Sequence, residues 1–278
     1  MALLAASSCS SYVKEQKMTD NEYKYECAKE YFVRGQYKRA QTLIGDVLAY
    51  MKGSLHGEES LFLLGLSTYG YGDHETAADY FRRYYNAYPK GRYVELARFY
   101  CGRSLYENTL DPRLDQTATT EAMGEFQQFL DLYPNTRLKG ATHEMLLKLQ
   151  DKLVEKEYGA AQLYYNLGSY VGNLNSKNSS SNYEACIVTC ENALKEYPYA
   201  SAQRREDFSI MLLRARYHLA KESVEDRRVE RYRATVDEYY GFVNEFPEGR
   251  YLKEAQKIFT IANKVVESNG GYKDEDDI

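Results

Sequence analysis

Tryptophan is absent from the 278 residues, proline occurs 5 times and histidine 4 times. So few histidines, none of His56, His74, His143 and His218 pairing with another at ligand spacing, leave no metal cage to build. His143-Glu144 lacks the second histidine of a zincin helix. No Walker loop and no nucleophile elbow appears. Proline and glycine are too sparse for a fibrous or linker-rich chain. No apolar run approaches the length of a membrane span. No basic block stands out either: the net charge is −5 with both signs interleaved, which argues against nucleic acid as a partner. The residues therefore predict no enzyme, no cofactor and no metal.

What is abundant is Leu, Ala, Glu, Lys and, at 29 residues, Tyr. That composition favours helices. One short stretch recurs. Its clearest copy carries Ala122, Phe126 and Phe129 on one helical face and then Tyr133-Pro134. Pro134 has no N–H to continue the helix and biases Tyr133 away from the α region. The device returns as Ala77, Phe81, Tyr84, Tyr88-Pro89, as Cys186, Cys190, Ala193, Tyr197-Pro198, and as Thr235, Tyr239, Phe242, Phe246-Pro247. A fifth copy, Ala40, Ile44, Val47, Met51, ends in Lys52 where the others have proline. An internal repeat of this kind predicts an all-α, tetratricopeptide-like α-solenoid.

The pattern gives about five helix pairs. They are 21–34 with 37–51, 58–71 with 74–88, 93–106 with 119–133, 138–167 with 183–197, and 204–221 with 228–246. A last helix at 250–268 caps the stack, since an end repeat must turn a polar face outward. Residues 108–118 form an insertion, the kind that maps to one face of a solenoid and often carries contacts. Gly, Asn and Ser make 168–182 a loop. The acidic end, 269–278, reads as a disordered tail. Cys186 and Cys190 stand at core positions of a repeat, and Cys27 and Cys101 lie inside helix patterns, so packing is the expected role of all four. A redox use of the Cys186 and Cys190 pair is the competing reading.

Residues 1–8, MALLAASS, run straight into Cys9. They resemble the end of a bacterial lipoprotein signal, in which small residues precede a cysteine that is lipidated. On this reading 1–8 is a signal remnant, Cys9 the lipidation site and 9–19 a polar tether. A plain N-terminal segment with a stray cysteine is the alternative.

From 110 to 198 the chain resembles the outer-membrane assembly lipoprotein BamD (ComL-like) family. The residues that carry the resemblance are the insertion with Asp115, Gln116 and Thr117, the YPNT ending at Tyr133 to Thr136, and the long helix finishing in EYGAAQLYY. The resemblance extends over about 20–222, and the longer C-terminal part is similar to Bacteroidetes-type members. It implies a periplasmic lipoprotein, held on the outer membrane by its lipid, that works in the β-barrel assembly machinery. N-terminal repeats, 20–136, would receive unfolded outer-membrane protein substrates. C-terminal repeats and cap, 137–268, would dock on the POTRA domain of a BamA-like barrel protein.

In such a solenoid the first helix of each pair lines the groove. That makes Tyr23, Tyr31, Arg34, Phe62, Ser67 and Tyr71 the candidates for substrate contact, some of which must be core, with rings to receive an aromatic peptide end and Arg34 to meet its carboxylate. Most tyrosines are expected simply to pack between repeats. For docking, the resemblance points to Lys152 and Thr189, where the proteobacterial family uses arginines, and to Arg204, Arg205, Arg214 and Arg216. The competing role for these arginines is to balance Glu206, Asp207 and Glu222. A periplasmic repeat adaptor for cell division or envelope coordination is the runner-up function.

Overall fold

A computed structural model of the chain describes residues 12–168 and 181–268. Every regular element among the described residues is a helix. A short helix, α1, covers 12–17. It is followed by α2 (Asn21–Val33), α3 (Tyr37–Met51), α4 (Gly57–Tyr71), α5 (His74–Ala87), α6 (Val94–Glu107) and α7 (Thr117–Leu132). Then come α8 (Lys139–Leu167), α9 (Asn182–Glu196), α10 (Ala202–Lys221), α11 (Glu225–Glu245) and α12 (Leu252–Glu267). Cys9, the signal remnant, the tail at 269–278 and most of the 168–182 loop lie outside the described residues.

Local chemistry sets the ends. Asp20, Asp73 and Ser201 cap α2, α5 and α10, their side chains accepting the N–H of Tyr23, Thr76 and Arg204. The four helices that meet an aromatic-proline pair stop alike. Tyr88, Tyr133, Tyr197 and Phe246 still donate their N–H to the carbonyl four residues back, but their ψ angles of 66°, 63°, 62° and 65° leave the helix. The following proline enforces that exit. Gly72, at φ 94°, closes α4 in the left-handed region, where a β-carbon would be strained.

By its contacts the chain divides between Leu149 and Gln150, inside α8. In the first unit each helix from α2 to α7 packs on the next. Its core runs through Leu61, Phe62, Ala77, Phe81, Tyr84, Phe99, Ala122, Phe126 and Phe129. In the second unit α9, α10, α11 and α12 pack in sequence, around Phe208, Leu213, Tyr217, Phe242 and Ile258. Each large side chain so buried contributes about 1.5–3 kcal/mol relative to exposure. The helix-face positions of the repeat are buried in all five copies, Cys186 and Cys190 included, and the aromatics before the prolines are half-buried. Consecutive helical hairpins of this kind are the tetratricopeptide-like arrangement that the repeat predicts.

Three details differ from the expectation. Cys27 is only half-buried, packed at the margin of the cluster that holds Ala28, Tyr31 and Ala40. Residues 12–17 of the expected tether are helical, since Tyr12 packs edge-on against Tyr31 at 5.6 Å and Arg39 lies over its ring. The insertion at 108–118 is closed on itself. Gln116 is buried, donates to the carbonyls of Asp111 and Leu114, and accepts from the Thr119 hydroxyl at 2.6 Å. Asp115 accepts the Thr117 N–H at 3.0 Å, so the Asp-Gln-Thr signature is the start of α7.

Candidate functional site

In the first unit, α2 and α4 are the first helices of successive hairpins. Of the six groove candidates on them, three are core. Tyr31 is 6% exposed, and its hydroxyl donates to Glu15. Burial, then that carboxylate, pushes its pKa up to about 12. Phe62 is stacked flat on Tyr93 with ring centres 4.7 Å apart. Ser67 is fully buried, and its hydroxyl finds no hydrogen-bond partner among the described residues. Periodicity alone could not separate these from the surface, because α2 and α4 bury residues around much of their circumference.

Tyr23, Arg34 and Tyr71 remain exposed. Tyr23 opens α2 and Arg34 follows its end, so eleven residues of helical rise separate them by about 16 Å. Arg34 and Tyr71 are at the same end of the unit. The start of α3 touches the ends of α2 and α4: Phe32 packs edge-on against Tyr37, and Lys38 sits over the Tyr71 ring at 4.2 Å. Arg34 is held by Glu30 at 3.0 Å, one turn earlier. The exposed surface thus has one cation, Lys38, on the Tyr71 ring, with Arg34 and Val33 exposed at the end of α2, and the Lys38–Tyr71 pair suits an anionic group next to a ring. Lys38 was not among the sequence candidates. Its signal is its place just after the Gly35 turn that folds α3 back onto α2.

In the second unit the docking candidates converge on α10, and the structure shows what holds them. Arg204 pairs with Glu155 of α8 and Asp207, and stacks over Tyr158 at 4.1 Å. Arg205 pairs with Glu245 of α11 at 2.6 Å. Arg214 grips Glu254 of α12 with two parallel bonds of 2.6 and 2.7 Å. Arg216 bridges Glu238 of α11 at 2.9 Å and Glu191 of α9. Burial raises the Glu238 carboxyl, and Arg216 opposes the shift. Of the acids expected to balance these arginines, only Asp207 does so. The others come from neighbouring helices. Their signal is opposite charge one repeat away: Arg205 and Glu245, like Arg214 and Glu254, are 40 residues apart. Lys152 is half-buried on α8, and the Thr189 hydroxyl donates to the Ala185 carbonyl at 2.9 Å.

A second recurring contact joins the start of a first helix to the proline turn that follows its hairpin. Glu58 at the start of α4 accepts the Arg92 N–H at 2.5 Å and the Tyr84 hydroxyl. Glu95 in α6 accepts the Thr136 hydroxyl at 2.6 Å. Glu206 in α10 accepts from Arg250 Nε at 2.9 Å. These carboxylates are spent on holding turns. Among the described residues no group of three or more His, Cys, Asp or Glu is placed to hold a metal. Cys186 and Cys190 are both fully buried, and the neighbouring Cys186 sulfur and burial push the Cys190 thiol up. No helix among the described residues is long and apolar enough to cross a membrane.

The profile of the YfiO family, described as outer membrane lipoprotein, matches residues 16–179, more than half of the chain. No curated protein matches it.

Proposed function

Because the chain belongs to the YfiO outer membrane lipoprotein family, which is BamD-like, we propose that it is a noncatalytic periplasmic scaffold of the outer membrane protein assembly machinery. The family match over 16–179 carries this reading. The fold supports it, since stacked helical hairpins work through the surface they present.

In this reading Cys9 carries the lipid that holds the protein on the periplasmic face of the outer membrane. The N-terminal repeats, 20–136, receive unfolded substrates. The exposed Arg34, Lys38 and Tyr71 are the groups suited to the end of a substrate strand, and Tyr23 lies too far along α2 to join them. The C-terminal repeats, 137–268, dock on the POTRA domain of a BamA-like barrel protein. Arg204, Arg205, Arg214 and Arg216 serve that dock by keeping the α8 to α12 surface rigid. Their guanidinium groups already hold carboxylates, so a partner meets a preorganised face.

The test uses the full-length gene. Cys9→Ala should release the protein from membranes, and sedimentation with the outer membrane regardless of that change would defeat the anchor. Affinity purification should recover a barrel protein with POTRA domains. Recovery of division proteins alone would reassign the scaffold to another envelope system.

A further inference from the structure

Three of the four proline turns place an arginine three residues after the proline: Arg92, Arg137 and Arg250. In the second unit this arginine is used internally. Arg250 donates through Nε to Glu206 and through Nη2 to Asp207, each at 2.9 Å, and both carboxylates are buried. The turn arginine there grips an acidic dipeptide.

The first unit repeats the turn without that partner. Glu58 has its Oε1 on the Arg92 backbone N–H and the Tyr84 hydroxyl, so it does not serve the guanidinium. Glu95 bonds the Thr136 hydroxyl. Arg92 and Arg137 are exposed, and among the described residues neither makes an ion pair. Both line one cleft of about 700 Å³, whose remaining wall includes Leu96, Tyr133, Pro134 and Leu138. The Lys139 ammonium sits at its edge, 3.5 Å from the Pro134 carbonyl. Among the described residues Glu95 is the one acid lining the cleft.

We propose that this cleft binds an acidic peptide segment from a partner protein, with Arg92 and Arg137 gripping its carboxylates and an apolar or aromatic side chain seated against Leu96, Tyr133 and Pro134. Charge complementarity argues for a carboxylate ligand, because planar guanidinium forks match carboxylates. The Arg250 pair with Glu206 and Asp207 shows the same turn holding adjacent acids. A lipid surface fits less well. Polybasic membrane contacts use broad clusters of about 4–8 cations, whereas this site is concave, partly apolar and includes Glu95. The inference goes beyond the scaffold reading and does not depend on which barrel protein docks.

The test is fluorescence anisotropy on the purified full chain. The probe is a labelled octapeptide with two Glu-Asp pairs flanking Phe, compared with the same peptide carrying Gln-Asn pairs. Wild type should bind the acidic peptide at least about tenfold more tightly than the neutral one, as expected for charge-assisted hydrogen bonds. The double variant Arg92→Ala/Arg137→Ala should lose about tenfold or more, and Arg92→Lys/Arg137→Lys part of that, because lysine keeps charge but not the fork. Both arginines are exposed, so the melting temperature should hold. If the alanine variant fails to fold, the lysine variant and the neutral peptide carry the comparison. Equal binding of both peptides by wild type, equal binding by the variants, or no binding at all overturns the proposal. So does arginine-dependent binding of phosphatidylglycerol vesicles without peptide binding, which assigns the cleft to lipid headgroups.

Discussion

The ring of Phe81 occupies the space that a side chain on Gly65 would need. A β-carbon at Gly65 would lie 2.8 Å from Phe81 Cε1, and Gly102 stands in the same relation to Phe126. In each case the bare turn of a first helix lets the ring of the second helix approach its backbone. Phe81 cannot step aside, being fully buried and packed against Phe62 and Tyr100. Gly65→Ala and Gly102→Ala should each destabilise the fold. Overpacking costs about 1–3 kcal/mol, and the gain in helix propensity of about 1 kcal/mol only partly offsets it. Gly124, in α7, has nothing within 4 Å of its β-carbon position. Gly124→Ala should therefore stabilise, by up to about 1 kcal/mol. Thermal or urea unfolding decides the matter, and equal effects at all three positions would show that the glycines are not spacers.

Arg214 and Glu254 tie α10 to α12 through two parallel bonds, with both side chains about two-thirds covered. Tyr251 lies beneath the guanidinium at 5.3 Å. A double-mutant cycle with Arg214→Ala and Glu254→Ala should give a coupling of about 1–2 kcal/mol, between the values for exposed pairs and for charge-assisted bonds in the interior. Additive single effects would mean that the pair only decorates the surface. The same cycle on Lys148 and Glu144, an exposed pair one helical turn apart, should give a clearly weaker coupling, because solvent screens it.

The aromatic-proline units were legible because two independent signals coincide in them. Periodicity marks the buried face, and proline marks the stop, so four copies align without any structure, and the fifth, which ends in Lys52, joins them by its spacing. The placement of Cys186 and Cys190 in the core followed from that alignment alone. The surface was less legible. Sequence alone cannot say which groove candidates are core, and Tyr31, Phe62 and Ser67 are, because the first helices are covered on several sides and periodicity does not tell which neighbour covers which face. The arginines of α10 were read without their true partners, because Glu191, Glu238, Glu245 and Glu254 lie on other helices and only tertiary packing brings them within reach. The Asp-Gln-Thr signature was visible, but its purpose as a loop closure depends on Gln116 folding back over its own loop.

Tyr25 gives the pH dependence its sharpest test. It is fully buried, and its hydroxyl finds no hydrogen-bond partner among the described residues. Burial, and then the Glu59 carboxylate, raise its pKa well above the usual 10.0. Burial acts the same way on Tyr84 and Tyr85, and lifts Tyr31 to about 12. For groups whose folded pKa is raised, the stabilising contribution is complete below the unfolded value, near pH 10, and is lost as the pH climbs through the folded one. Helicity should therefore hold to about pH 10 and fall above it, with tyrosinate absorbance at these sites rising together with unfolding. Tyr25→Phe removes a buried hydroxyl that has no hydrogen-bond partner among the described residues. At neutral pH it should be neutral or stabilising by up to about 1 kcal/mol, and it should move the alkaline midpoint upward, since one group that must stay protonated is gone. A variant that unfolds at the same alkaline pH as wild type, with equal stability at neutral pH, would show that Tyr25 does not drive the transition. A loss of stability at neutral pH would show that its hydroxyl has a partner in solution.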